Sequence, residues 1–257
     1  MTVRLGINPI TWTNDDVPEL GGETPLETCL AEMRQAGYLG TELGGKYPRT
    51  SPQLAASLAP HDLALVSGWY DGRILERDVA QEFDAARPHL TLLRDLGATV
   101  VVYADTSRGR HGAIHGPISE RPRLLHDEWP AYGRKITQLA DRMAEFGVRM
   151  AFHHHMGTIV ETDQEIDRLM ETTGPSVGLL FDSGHCLFSG GDPAAVIARH
   201  ARRVVHVHCK DVRRAVLDKC RAGDMSFMGA VMAGIFTVPG DGAVDFASLL
   251  RPLAGLG

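Results

Sequence analysis

The sequence predicts an α/β fold built as a (β/α)8 barrel, and three observations lead there. Seven short apolar runs alternate with stretches of helical periodicity, and glycines repeatedly mark the return from helix to strand, as at Gly37, Gly97 and Gly147. Strict alternation of this kind favours a parallel sheet with helical crossovers. Three of the apolar runs also end in metal-capable side chains. They are Arg149-Met-Ala-Phe-His-His-His155, Val177-Gly-Leu-Leu-Phe-Asp182 with His185 three residues on, and Val204-Val-His-Val-His-Cys-Lys-Asp211. In a parallel barrel such ends gather on one rim, the face where barrel active sites lie.

Taken in order, Arg4–Asn8 is the first expected strand, followed by a polar loop through Trp12. Thr24-Pro25 opens a helix, proline being tolerated in the first turn, and the helix stops at Gly37, a natural C-terminal residue. A strand over Leu39–Leu43 ends in Glu42 and the loop that carries Lys46; Ser51-Pro52 caps the next helix. A third strand, Leu63–Ser67, leads to Gly68-Trp69. A helix from about Leu75 to Leu96 contains Pro88 and is expected to kink there. Ala98–Tyr103 is the fourth strand. A loop from roughly Asp105 to Glu128 carries His111, His115 and His126, and loops this long are usually functional or mobile. Helices are then expected over Trp129–Phe146, from Thr162, from Asp192-Pro193 and over Asp245–Leu253, with a second long loop over Val212–Pro239. The tail Leu253-Ala-Gly-Leu-Gly257 repeats the earlier helix-to-strand handovers. The sequence therefore leads us to expect a single 1–257 barrel domain lacking its eighth strand and helix, either by C-terminal truncation or with the gap filled by another element or a partner chain. An open doubly wound sheet is the structural alternative.

Composition narrows the function. The chain has 257 residues, 44% apolar and 23% charged, an ordinary globular balance. A net charge of −6 disfavours a nucleic-acid partner. No stretch approaches the roughly 20 apolar residues of a membrane span. The four cysteines lack CxxC spacing and fit a reducing cytoplasm rather than a disulfide framework. A homo-oligomer is allowed but not required.

Side-chain alternation sorts the strand tips. In the fifth strand His153 and His155 share a face with Ala151 and should point into the barrel, while His154 lies with Met150 and Phe152 and is structural. In the sixth, Asp182 shares a face with Leu180. In the seventh, His206, His208 and Lys210 share a face, His206 one layer deeper as a core or supporting residue. Asp182, His208 and His153 are thus the expected metal ligands, a mixed imidazole and carboxylate set suited to a divalent transition ion.

Several stretches together carry a family resemblance: Gly6-Ile-Asn-Pro-Ile-Thr-Trp12, Glu42-Leu-Gly-Gly-Lys46, His153-His-His-Met-Gly-Thr158, Asp182-Ser-Gly-His185, His206-Val-His-Cys-Lys-Asp211 and Phe236-Thr-Val-Pro-Gly-Asp-Gly242. Over the whole length the chain resembles the myo-inosose-2 dehydratases of inositol catabolism, within the xylose isomerase-like barrel superfamily. The resemblance implies Mn²⁺ or Co²⁺ dependence, glutathione as a further cofactor, and dehydration of 2-keto-myo-inositol to a trihydroxycyclohexanedione. Two departures stand out. The superfamily usually has a Glu ligand where this chain has His153, and it draws a second Glu from the eighth strand.

The expected chemistry is proton removal beside a ketone followed by loss of the β-hydroxyl. His155 and His185 are the candidates for proton transfer, with Lys210 and Lys46 assisting. Asn8, Trp12, Glu42 and Trp69, at the ends of the early strands, are candidates for substrate contact. A sugar or cyclitol isomerase or epimerase on the same barrel is the alternative, and a non-catalytic cyclitol-binding protein a remote one.

Overall fold

The computed structural model describes residues 5–254. Seven parallel strands form one sheet in chain order: β1 (Gly6–Ile7), β2 (Gly40–Leu43), β3 (Ala64–Gly72), β4 (Val100–Asp105), β5 (Arg149–His153), β6 (Gly178–Asp182) and β7 (Val204–His208). Between them run α1 (Leu26–Gln35), α2 (Ser51–Leu58), α3 (Val79–Asp95), α4 (Trp129–Phe146), α5 (Asp163–Thr172), α6 (Ser183–Ser189) and α7 (Pro193–His200). The sheet is curled: Glu42 on β2 lies 2.9 Å from His206 on β7. In a flat sheet two strands five places apart would be roughly 24 Å from each other.

After β7 come β8 (Asp211–Val212), α8 (Arg214–Ala222), α9 (Phe227–Met232), β9 (Phe236–Thr237) and α10 (Phe246–Ala254). Among the described residues no eighth parallel strand joins β7 to β1. The tail expected to open one ends at 255–257, outside the described residues; its first two positions, Leu253 and Ala254, close α10.

Most helix boundaries follow local chemistry. Thr162 and Asp78 each make a capping box, with Glu165 and Gln81 respectively. The Asp78 cap starts α3 at Val79, later than the expected Leu75. Asp192 accepts the Ala194 and Ala195 N–H groups. At α2, Thr50 rather than Ser51 takes the cap position. Three expectations need larger correction. Strand β3 runs on from Ser67 to Gly72, because it pairs with β4 as far as Asp105. The stretch 212–239, expected as a loop, folds into two helices and a small antiparallel pair. Its main helix, α8, buries only Leu217 and Cys220, too thin an apolar stripe to read as periodicity. Finally, α6 begins on the residue after β6, with no linker to announce it.

Two apolar layers set the site's height. Met33, Leu93, Ile136, Leu139, Phe152 and Phe181 pack between sheet and helices. Val100, Val102, Ala151 and Leu180 fill the barrel interior. Ala151 and Leu180 each lie two residues before a strand-tip candidate on the same face, so His153 and Asp182 sit one layer above an apolar floor.

At the tip of β4 Asp105 is buried, its Oδ1 accepting the Ser107 N–H at 3.0 Å and its Oδ2 unpartnered. Burial pushes this carboxyl up to about 6, outweighing the Ser107 hydrogen bonds. The folded state therefore holds the proton more tightly than the unfolded chain, whose Asp titrates near ~3.9. The resulting stabilisation is full below pH ~4 and is lost as pH rises through about 6. Asp105→Asn keeps the acceptor for Ser107 and removes the charge. Urea unfolding should show the variant gaining about 2–3 kcal/mol over the parent at pH 7.5, with the advantage shrinking toward pH 4.

Candidate metal centre and active site

The sequence Asp182-Ser-Gly-His185 gives each residue a separate task. Asp182 ends β6 and caps α6, its Oδ1 accepting the His185 N–H at 2.9 Å. Ser183 Oγ donates to the Lys210 carbonyl at 2.7 Å and lies 3.0 Å from the Lys210 N–H, fixing the backbone after β7. At Gly184 a Cβ would come within 2.8 Å of the Lys210 stem, so glycine lets that side chain cross the first turn. His185 then meets the lysine, with Nε2 3.2 Å from Lys210 Nζ.

Asp182 Oδ2 is what remains. It is buried without a hydrogen-bond partner. Around it stand His208 Nδ1 at 3.5 Å, Lys210 Nζ at 3.7 Å and His153 Nε2 at 3.8 Å. His153 donates its Nδ1–H to the His154 carbonyl at 2.6 Å, which leaves a lone pair on Nε2. A lone pair and a carboxylate oxygen facing one another repel unless a cation lies between them. The donor set His153, Asp182 and His208 therefore fits a divalent metal, and these ligand atoms all lie within 4.8 Å of each other.

Glu42 supports this cluster from across the barrel. Its Oε1 faces His206 Nε2 at 2.9 Å and His208 Nε2 at 3.1 Å and accepts from Ser67 at 2.5 Å; Asn8 donates to Oε2 at 2.7 Å. Burial alone would raise the Glu42 carboxyl, but His208 and His206 outweigh it and hold it well below its usual range. Burial would likewise lower His208; the Glu42 and Asp182 carboxylates overcome it and push that imidazole up to about 9. Electrostatics that favour a proton there also favour a metal cation. Glu42, His206 and His208 form a second metal-capable group sharing His208.

The proton-handling candidates adjoin this cluster. His155 and His185 lie with ring centroids 4.0 Å apart, and Trp69 meets His153 and His155 edge-on at 5.6 and 5.3 Å. His155 Nδ1 donates to the Met156 carbonyl at 2.8 Å, leaving Nε2 free. Burial and the Lys210 charge keep this ring neutral, lowering it to about 3. Met156 N–H donates to His185 Nδ1 at 3.1 Å, while the other ring nitrogen, Nε2, faces the Lys210 ammonium. The region after β7 closes the wall: Phe227 lies 4.8 Å from His155, Phe236 lies 5.6 Å from His185, and Lys210 Nζ sits 4.6 Å over the Phe236 ring.

Not every expected residue arrives here. Lys46 Nζ is bound to the Gly22 and Thr24 carbonyls, and Trp12 Nε1 donates to Glu32 on α1 at 2.5 Å; both side chains face the loop and helix beside β1. Asn8 donates to Glu42 and accepts the Ile10 N–H, and Glu42 faces His206 and His208, so their hydrogen bonds go to the protein rather than to a ligand. His154 accepts the Asp182 N–H at Nε2, a structural role consistent with its outward face. Phe227 and Phe236 were missed, because an aromatic residue in an apparent loop gives no sign of which wall it will form.

A curled parallel sheet whose strand C-termini carry one charged cluster is the architecture of a TIM-barrel enzyme. The sequence profile of the xylose isomerase-like TIM barrel family matches residues 22–257, and the chain belongs to that family. It is 70% identical over 257 residues to the rhizopine catabolism protein MocC of Rhizobium meliloti, covering 100% of this chain and 79% of that one. It is 42% identical to the inosose dehydratase of Geobacillus thermodenitrificans, covering 99% of this chain and 86% of the relative. With inosose dehydratases at 38–42% identity across nearly its full length, the chain is an enzyme of the hydro-lyase class. Among solved structures, the IolI protein with a bound zinc atom superposes with a TM-score of 0.69 at 17% identity, over 99% of this chain and 86% of that one. That likeness concerns the fold. No helix among the described residues is long and apolar enough to cross a membrane.

Asp211 anchors the wall that carries Phe236. Its carboxylate accepts the N–H groups of Val212, Gly240, Gly242 and Val244 at 2.8–2.9 Å. These bonds hold Asp211 below the usual carboxylate range, against the opposing effect of burial. Asp211→Ala leaves those donors without a charged acceptor and should cost about 3 kcal/mol in urea unfolding. Amide exchange should speed up most at 240–244.

Proposed function

We propose that this chain is a metal-dependent dehydratase that removes water from 2-keto-myo-inositol to give a trihydroxycyclohexane-1,2-dione. One observation carries the metal part: the unpartnered Asp182 Oδ2, facing His153 and His208. The relatives named inosose dehydratase support the substrate. Asp182, His208 and His153 would hold Mn²⁺ or Co²⁺, with Glu42 holding His208 in place from its far side. A divalent ion bound there supplies Lewis-acid polarisation of a ketone oxygen.

The remaining work falls to side chains. His155 enters the reaction neutral, its Nδ1–H committed to Met156, so Nε2 is the atom that accepts the proton next to the ketone. His185 and Lys210, in contact at 3.2 Å, hold neighbouring hydroxyls and pass protons between them. Phe227 and Phe236 shield the rings of His155 and His185 from water, which protects a reactive enolic species from stray protonation.

A second reading follows from the 70% identity to a rhizopine catabolism protein: the same water-loss chemistry applied to a rhizopine-derived substrate. Side-by-side kcat/KM values on 2-keto-myo-inositol and on rhizopine breakdown intermediates decide between them. An isomerase or epimerase on this barrel would keep the hydroxyl, so product analysis by NMR separates it from a dehydratase.

Chelator-treated protein should lose water-forming activity and regain it with Mn²⁺ or Co²⁺, in assays run with and without glutathione. Turnover unchanged after metal removal would sink the metal-dependent reading. Asp182→Asn should weaken metal binding measured by calorimetry at least about 100-fold, since a charged ligand with no substitute is lost.

A further inference from the structure

Water loss from a β-hydroxy ketone needs two proton transfers. A base takes the proton from the α-carbon, the C–H electron pair becomes the new C=C bond, the C–O bond breaks, and the departing hydroxyl takes up a proton to leave as water. His155, His185 and Lys210 form one proton-handling group. The loop between β4 and α4 brings a different one to the site.

On that loop His111 stands at the mouth, its ring 5.9 Å from His155 at 88° and 6.5 Å from Trp69. The loop is fastened to the turn just after His155, where Arg110 N–H donates to the Gly157 carbonyl at 2.7 Å. Gly157 has φ 79°, and a Cβ there would lie 2.7 Å from the His111 backbone nitrogen, so only glycine permits this approach. His111 Nδ1 is buried with no partner, whereas Nε2 lies 3.7 Å from Asp71 Oδ1. Nδ1 faces no protein partner, so Nε2, on the Asp71 side, is the nitrogen placed to exchange a proton with a ligand at the mouth. Asp71 is just past Trp69 on β3 and is half exposed to the mouth. A separation of 3.7 Å is too long for a direct hydrogen bond, yet one hydroxyl oxygen fits within hydrogen-bonding reach of both atoms.

We propose that His111, positioned by Asp71, is the general acid that protonates the departing β-hydroxyl, while the His155 side of the pocket handles the α-proton. His111 is the catalytic residue of this pair and Asp71 the positioning residue. The assignment rests on the dehydratase reading above. In its protonated form His111 gives the Nε2 proton to the departing hydroxyl, which leaves as water, and the neutral ring keeps its other proton on Nδ1. The His155 side has gained the α-proton, and one proton returning through solvent to His111 Nε2 restores both.

The test uses metal-loaded protein in D2O with 2-keto-myo-inositol, following α-hydrogen exchange and water loss separately by NMR. His111→Asn should lower water loss about 100-fold or more, the low end of general acid catalysis, while α-exchange stays within a few-fold of the parent. Asp71→Asn should lower kcat for water loss about 10-fold with little change in KM. His115→Asn, on the same loop and exposed, should leave both rates unchanged and shows that the loop tolerates the substitution. If His111→Asn retains water loss, or loses exchange and water loss together, the assignment is overturned. A parent protein showing neither exchange nor water loss defeats the dehydratase reading, and the assignment with it.

Discussion

The structure depends on a single carboxylate made to serve two purposes. Asp182 gives one oxygen to the first turn of α6 and is left with a second, buried and unpartnered, at the end of an apolar strand. An ionised oxygen in such a place is costly unless cations gather round it. Lys210 and His208 do so, and their effect, set against burial, holds the carboxyl well below its usual range. Removing that charge would leave three buried or half-buried nitrogen groups facing one another without a reason to be there.

From this constraint the neighbouring architecture follows. Because α6 starts without a linker, His185 is set on its first turn within reach of Lys210, and the small side chains between them let the lysine lie across the helix. Because the sheet curls, Glu42 reaches His206 and His208 from the opposite wall and balances the positive charge that Asp182 draws in. The pair of carboxylates with an imidazole between them is a cation trap whichever cation fills it. Above it, the segment after β7 supplies aromatic rings, and the loop after β4 supplies His111, so the mouth is lined from elements far apart in the chain.

Much of this was legible in the sequence. Alternation along the fifth and sixth strands assigned Ala151, His153, Leu180 and Asp182 to one side and Phe152 and Phe181 to the other, because the period of two leaves no freedom once a strand is recognised. His154 could be set apart from its two neighbours on the same ground. Glu42 was underestimated because its importance lies in partners more than 160 positions away, His206 and His208. Lys46 and Trp12 were overestimated for the complementary reason: each follows a strand, but nearby carbonyls of 22 and 24 and the Glu32 carboxylate capture their polar atoms first.

By itself the sequence determined the parallel α/β architecture, the rim at which the strand-tip side chains gather, and that His153, Asp182 and His208 meet there. These are consequences of local periodicity, capping and turn residues, which act over a few positions. Only the tertiary structure decided which lone pairs face which charges, because that depends on how far the sheet curls and where hydrogen bonds lock each imidazole. It alone turned 212–239 from a loop into a wall, and brought His111 beside Asp71. Asp182-Ser-Gly-His185 announced a strand tip; the fold made it the point around which the other side chains are arranged.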